Sequence, residues 1–477
     1  MDYRKIIFGK ADAQEEGSEY PNLLVNGYLD NMNLVEQIRG HNIFLFLGYK
    51  GAGKSALSEH LRLIAAESDM IVDQQPLTQF PYKSFAKIVS GDAEPEVKYH
   101  MAWRLLLLIK ILENLANDRN AICGKKEIFD AVVLALNKEG LMPIKNLSSL
   151  VTRTANVKIK AQLINLLNIE LSSTYSNAEL GLHSAIAMIE DLVYSFTECS
   201  EQYIIIDGLD DILTSREIQF TTIAALLNQA KDLNKSLRMS NLPIKIIVLC
   251  RTDIFERLHD PNKNKIRQDC SFSFNWYMEG VTTHENNGLV KIANIRTSLV
   301  YPNCTNLFES FFPSNINNED IYTCLLEYTR HTPRDFIQLL ISIQKNCEGE
   351  KVRQKDVENG LKYYSVEYFL PEIKDEMDGY LTDNDIDNII KILSANRKIE
   401  FNFTDILPVA EQFGLTKEKL IMVFTILYDC SAIGHVYKRI NDKMAITYKY
   451  RNRHSCFNPN DRIRIHKGLW KALNVNF

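Results

Sequence analysis

The run Ile43-Phe44-Leu45-Phe46-Leu47 leads directly into Gly48-Tyr49-Lys50-Gly51-Ala52-Gly53-Lys54-Ser55, and no other stretch constrains the fold as strongly. An apolar strand, then G-x-x-x-x-G-K-S, then a helix-forming stretch at 56–65 is the strand–loop–helix pattern of a phosphate-cradling P-loop. Glycines let the backbone curl until successive N–H groups point inward, and the helix adds the positive end of its dipole. The pattern assigns Gly48, Tyr49, Lys50, Gly51, Ala52, Gly53, Lys54, Ser55 and Ala56 to a nucleoside triphosphate, ATP. Lys54 reaches the β/γ-phosphates, and the Ser55 hydroxyl takes a coordination position on Mg²⁺. The bland alternative is a glycine-rich turn that binds nothing.

Two further apolar runs end in residues suited to the same chemistry. Tyr203-Ile204-Ile205-Ile206-Asp207 reads as a buried parallel strand delivering a carboxylate at its end. Asp207 is the expected second Mg²⁺ ligand, direct or through water. Gly208-Leu209-Asp210-Asp211 follows; Asp210 or Asp211 would orient or deprotonate the attacking water. Both also suit the N-terminal turn of the next helix, where its dipole favours acids. Ile246-Ile247-Val248-Leu249-Cys250 is a third strand, and Arg251 at its end would sense the γ-phosphate or stabilise transferred charge. The alternative for Arg251 is an ion pair with Asp253. Arg330-His331-Thr332-Pro333-Arg334-Asp335 opens a helical run at 336–344, where Pro333 suits the first turn without any functional role.

A strand ending in D-G-L-D-D, paired with a strand ending in Arg, resembles the STAND and NACHT-type P-loop ATPases, relatives of the AAA+ and origin-recognition ATPases. The resemblance implies paired catalytic acids at Asp210 and Asp211 and a sensor arginine at Arg251. Thr332-Pro333-Arg334 is similar to the lid motif whose proline touches adenine, with Arg334 as a second sensor, although His331 stands where that motif has Gly. The chain also resembles bacterial P-loop ATPases found near mobile elements and defence genes. The shared features there are Ile7-Phe8-Gly9-Lys10-Ala11 with Glu15 and Glu16, and His466-Lys467-Gly468-Leu469.

With 477 residues, two to four domains are expected. Hydrophobic content of 45% and charged content of 24% are ordinary for a soluble globular chain. No apolar run is long enough for a membrane span, because 105–109 is broken by Lys110. The first residues lack the apolar core of a secretory signal, and nine scattered cysteines show no metal spacing, so reduced core thiols and a cytoplasmic setting are expected.

The expected architecture is an α/β P-loop NTPase core (a parallel sheet flanked by helices) with a helical insertion, a helical lid and a C-terminal winged-helix domain. An N-terminal segment at 1–40, placed beside the base, precedes a first core segment at 41–95 and an insertion at 96–200. A second core segment follows at 201–280, then the lid at 281–380 and the last domain at 381–477. Apolar stripes at 103–115, 127–136 and 161–171 mark the insertion, whose additions usually carry partner contacts. The basic connection 260–267 reads as a solvated loop, or as one offering Lys265 or Arg267 as an arginine finger. Helices at 384–393, 406–413 and 417–427 followed by a hairpin at 433–440 and 444–450 give the winged-helix pattern. Between Lys438 and Lys471 ten Lys/Arg stand against two Asp/Glu, interleaved with Tyr437, Tyr448, Tyr450, Phe457 and Trp470. Such a stretch would bind DNA or RNA backbones; winged helices also serve as protein-interaction modules.

The function expected is a Mg-dependent ATP-hydrolysing switch, set by resemblance in anti-phage defence or mobile-element biology. It would act on a protein partner or effector, alone or as a homo-oligomer. A nucleic-acid loader of the origin-recognition type is the alternative, and a module that holds nucleotide without turnover is a third.

Overall fold

The apolar runs near 45, 204 and 247 become neighbouring parallel strands. The computed structural model describes residues 1–30, 33–40, 42–77, 80–89, 94–156, 178–208, 217–277, 284–438 and 444–475, arranged as two compact units. Asp210, Asp211, the stripe at 161–171, and Arg439 through Lys443 lie outside the described residues.

One unit comprises residues 32–48 and 57–274. Its strands are β1 (Leu45–Gly48), β2 (Ile71–Pro76), β3 (Gln202–Asp207), β4 (Ile244–Arg251) and β5 (Ser271–Ser273). All pairings are parallel, in the order β2-β3-β4-β1-β5. Parallel neighbours require crossovers, and helices supply them: α1 (Lys54–Ala65), α2 (Pro95–Asn117), α3 (Ala178–Val193) and α4 (Glu217–Met239). Gly48 pairs with Arg251 and Ile206 with Val248. The carboxyl ends of β1, β4 and β3 therefore share one edge, with β4 in the middle.

Helix α2 explains the long apolar stripe. Residues 105–115 are all buried, so this helix is enclosed on every side. Each fully buried Leu or Ile contributes about 1.5–3 kcal/mol. Lys110 is accommodated by Asp73 at 2.6 Å and Glu113 at 2.7 Å. Leu105 through Leu108 belong to the same apolar core as Ile204 and Ile246 of the sheet. The basic connection expected as a loop is instead helix α5 (Lys263–Cys270), because Ile266 and Cys270 bury one face of it.

The other unit comprises residues 1–31, 49–56 and 275–477. Its helices are α6 (Gly288–Val300), α7 (Ile321–Glu327), α8 (Pro333–Lys345), α9 (Gln354–Tyr364) and α10 (Leu370–Met377), with a π-helical turn at Ser365–Phe369. The N-terminal segment inserts Tyr3, Ile6 and Phe8 into the core of this unit. The apolar side chains favour that burial, and Gln344 fixes the backbone by donating to the carbonyls of Tyr3 and Ile6 at 2.9 and 2.8 Å. Glu16 and Arg296, both buried, form an ion pair at 2.7 Å.

Toward the end of the chain, α11 (Asp383–Asn396), α12 (Phe403–Gln412) and α13 (Lys417–Asp429) precede an antiparallel pair, β7 (Ile433–Lys438) and β8 (Met444–Thr447). Two short strands complete a sheet: β6 (Glu400–Phe401) and β9 (Arg462–Ile465), in the order β6-β9-β7-β8. Among the described residues no helix is long and apolar enough to cross a membrane.

Candidate phosphate-binding site

Chain direction at the end of β1 is reversed by glycines in conformations that side chains disfavour. Gly51 has φ +79° and Gly53 φ +99°. The Ala52 N–H donates to the Tyr49 carbonyl at 3.1 Å, closing the turn, and Lys54 Nζ donates to the same carbonyl at 3.3 Å. Lys54 opens α1 and is buried, whereas Ser55 is exposed. A Cβ on Gly53 would meet nothing within 4 Å, which leaves the room an anion needs to approach the backbone. The glycines, the lysine at the helix start and the open face fit a nucleotide phosphate.

Within the same unit the loop is held by the start of α8. The Arg334 N–H donates to the Gly51 carbonyl at 3.3 Å. A Cβ on Gly51 would lie 3.0 Å from Arg334 Cβ and 3.2 Å from Thr332 Oγ1. Thr332 caps α8 by accepting from the Asp335 N–H, with Pro333 in the first turn. Thr332 and Arg334 thus lie against the phosphate loop. His331, where the similar lid motif has Gly, adopts φ +52°, a left-handed conformation that glycine takes without cost. Its ring stacks on Tyr450 at 5.3 Å and meets the edge of Tyr277 at 5.1 Å.

Three contacts to the loop involve residues that the motifs do not mark. Trp276 Nε1 donates to the Ala52 carbonyl at 2.8 Å. Lys50 Nζ sits 3.2 Å from Glu372 and 3.8 Å from Asp375, both on α10. A buried network backs this acidic face. Arg330 holds Asp335 through two bonds of 2.9 and 3.0 Å and also pairs with Glu376. Tyr368, from the π-helical turn, donates to Asp335 at 2.9 Å. Burial raises the Asp335 carboxyl, but the charge and hydrogen bonds of Arg330 outweigh it and hold the group below its ordinary range. Burial, aided by Arg451 and opposed by Asp335, pushes His331 down to about 3. Burial, aided by Arg330, likewise takes His466 to about 3. The spacing of Glu372 and Asp375 on one helical face was the available sequence signal.

In the sheet unit, Asp207 ends β3 and its carboxylate accepts from the Gly208 N–H at 2.7 Å. Gly208 has φ +80°, which turns the chain away from the strand. Arg251 ends β4, buried, with its guanidinium gripped by Asp253 at 2.9 and 2.8 Å. The ion pair with Asp253 is thus present in this structure. The strand ends bring Gly48, Arg251 and Asp207 to one edge of the sheet. Arg267 pairs with Glu256 and lies over the Phe255 ring at 5.3 Å, while Lys265 is exposed.

Several cations of the basic C-terminal stretch have internal partners. Arg462 and Arg464 pair with Glu400, Lys467 with Glu319 and Glu327, and Lys449 with Asp429. Arg451 is surrounded by the rings of Tyr277, Tyr448 and Tyr450. Tyr448 and Trp470 are buried, and Phe457 packs on Phe403 and Phe424; of the five aromatics, Tyr437 is exposed. Counting charge along the sequence overlooks partners that lie far away in it.

Residues 289–370 match a family model described as the FunZ-associated C-terminal helical domain. No curated protein sequence matches the chain. Among solved structures, it is similar to that of the Aeropyrum pernix ORC1 protein in complex with DNA, at 11% identity and a TM-score of 0.37. That match covers 91% of this chain and 86% of the other.

Proposed function

We propose that this protein is a Mg-dependent ATP-binding and hydrolysing switch. The observation that carries the reading is the direct tie between the phosphate-loop motif and the helices that follow it: Gly51 to Arg334, and Lys50 to Glu372. A loop that must rearrange its cations around a phosphate cannot do so without disturbing α8 and α10.

Bound Mg-nucleotide supplies the phosphoanhydride and the divalent charge that polarises it. Gly51 and Gly53 keep the backbone open to phosphate oxygens, and Lys54 neutralises their charge. Ser55 and Asp207 are the hard oxygen donors that suit Mg²⁺. Asp210 or Asp211 holds the attacking water, with a proton passing to the carboxylate. Arg251, oriented by Asp253, stabilises charge on the transferred group, and Arg334 reports nucleotide to α8. By sequence resemblance the switch works in bacterial anti-phage defence or mobile-element biology, on an effector that is a separate polypeptide. The loader alternative relies on C-terminal cations, of which Arg462, Arg464 and Lys467 have internal partners.

Steady-state ATP hydrolysis by wild type beside Lys54→Ala, with and without duplex DNA at two salt concentrations, tests the reading. Turnover lost in Lys54→Ala and indifferent to DNA supports the switch. Turnover stimulated by DNA at low salt favours the loader, and Lys54-independent turnover removes both.

A further inference from the structure

At the opposite edge of the parallel sheet, the amino ends of β3 and β4 border a cleft of about 290 Å³. This places it at the small end of ligand-pocket sizes, roughly 300–1,000 Å³. Its rim carries Arg39, Lys231, Lys235, Arg238 and Lys245. Lys231, Lys235 and Arg238 follow one another at helical spacing on α4, so they share a face. Among the described residues lining the cleft, Glu201 is the one carboxylate. That carboxylate is already engaged: Arg39 Nε lies 2.9 and 3.1 Å from its two oxygens, and Tyr203 donates to it. The cleft lining therefore carries five cationic side chains against one carboxylate.

The position of these cations is fixed by structure. Asn234 both accepts from the Ile246 N–H and donates to the Ile246 carbonyl, each at 2.8 Å, which pins α4 to β4. Lys245 donates to the Ile38 carbonyl and Arg238 to Asn42. Burial and the neighbouring Arg238 push the Lys245 ammonium down to about 8, against the opposing charge of Glu201. An anion entering the cleft would reverse that cost. The floor is apolar, formed by Ile38, Phe44, Leu242, Ile244 and Cys270. Inorganic anions gain nothing from such a floor, whereas an organic phosphate gains both contacts.

We infer that this cleft binds a small organic phosphate, with the phosphate on Arg238, Lys245 and Lys231 and a flat apolar body on the Phe44–Ile244 floor. The apolar floor offers nothing to a nucleic-acid backbone, whose phosphates carry the binding. The site is separate from the strand ends that carry Gly48, Arg251 and Asp207: β4 spans eight residues, about 26 Å of extended chain, between the two edges of the sheet.

Phenyl phosphate is the probe, titrated calorimetrically into full-length Lys54→Ala protein so that the P-loop does not contribute. Binding is expected, at least tenfold tighter than inorganic phosphate, and at least tenfold weaker when Arg238→Ala or Lys245→Met is added. Arg238 is exposed, so Arg238→Ala keeps the test valid if Lys245→Met does not fold. No binding of phenyl phosphate would overturn the inference. So would equal affinity in the Arg238→Ala protein, equal affinity for inorganic phosphate, or displacement of the probe by a short DNA duplex at equal phosphate concentration. The readout does not involve hydrolysis, so it stands or falls independently of the ATPase reading.

Discussion

Lys50 Nζ lies 3.2 Å from Glu372, so a cation within the phosphate-loop motif is already neutralised by helix α10. Both side chains are largely shielded, with 22% and 16% exposure. The pair opposes the arrival of a triphosphate, which must compete for the same ammonium. Glu372→Gln should therefore raise affinity for a fluorescent ATP analogue by about fivefold, corresponding to ~1 kcal/mol for a partly shielded charge. Unchanged or weaker affinity would remove the competition.

The two loop glycines should fail in different ways. At Gly51 a Cβ meets Arg334 and Thr332, and the left-handed conformation costs a further ~1–2 kcal/mol. Gly51→Ala should thus lower both thermal stability and nucleotide binding. At Gly53 the added methyl meets no protein atom. Gly53→Ala should abolish binding with a melting shift set by backbone strain alone, visible as a smaller drop in Tm than Gly51→Ala gives.

Trp276 offers a direct optical report on the loop. Its indole donates to Ala52 at 2.8 Å, whereas Trp103 and Trp470 are buried in apolar cores. Adding nucleotide should change intrinsic fluorescence, and Trp276→Phe should remove that change while costing about 1 kcal/mol of stability. A response that persists in Trp276→Phe would assign it elsewhere.

Acid should destabilise the helical unit through its buried imidazoles. His331 and His466 both titrate near 3 when folded, against an ordinary value near 6.5. Between those limits the unfolded chain binds more protons, so stability is complete above about 6.5 and falls as pH drops toward 3. Each histidine contributes a slope of about 1.4 kcal/mol per pH unit in that window. Asp335 adds its own loss at lower pH, below the ordinary carboxylate value, because its folded pKa is depressed. Urea unfolding of His331→Asn at pH 7 and 5 should show a shallower decline than wild type. Asn tolerates the left-handed backbone and does not titrate.

Much of the parallel sheet was legible because uninterrupted Ile, Leu and Val runs can be little else than strands buried on both faces. Strand β2 was not legible: Ile71-Val72-Asp73-Gln74-Gln75-Pro76 is half polar, since it forms the sheet's edge and gives Asp73 to Lys110. Strands β6 and β9 are too short, and Arg462 and Arg464 too charged, to signal a sheet. The phosphate loop announced itself through glycines whose conformations the spacing demands. Its brace did not, because the contact between Lys50 and Glu372 joins residues far apart in the chain. Charge counting at 438–471 could not show the partners of Arg462, Arg464 and Lys467 for the same reason: Glu319, Glu327 and Glu400 lie well upstream.

Tyr3 donates its hydroxyl to the carbonyl of Leu340, 337 positions away. During synthesis the ribosome releases the sheet unit, ending at 274, well before the helices that receive the first residues and brace the phosphate loop. The early segments 1–31 and 49–56 must wait, unpartnered, through most of translation. A nascent chain can therefore assemble its sheet long before its phosphate loop acquires Arg334 and Glu372 as neighbours. Stalling translation shortly before residue 330 would capture the strands folded and the loop still without its brace.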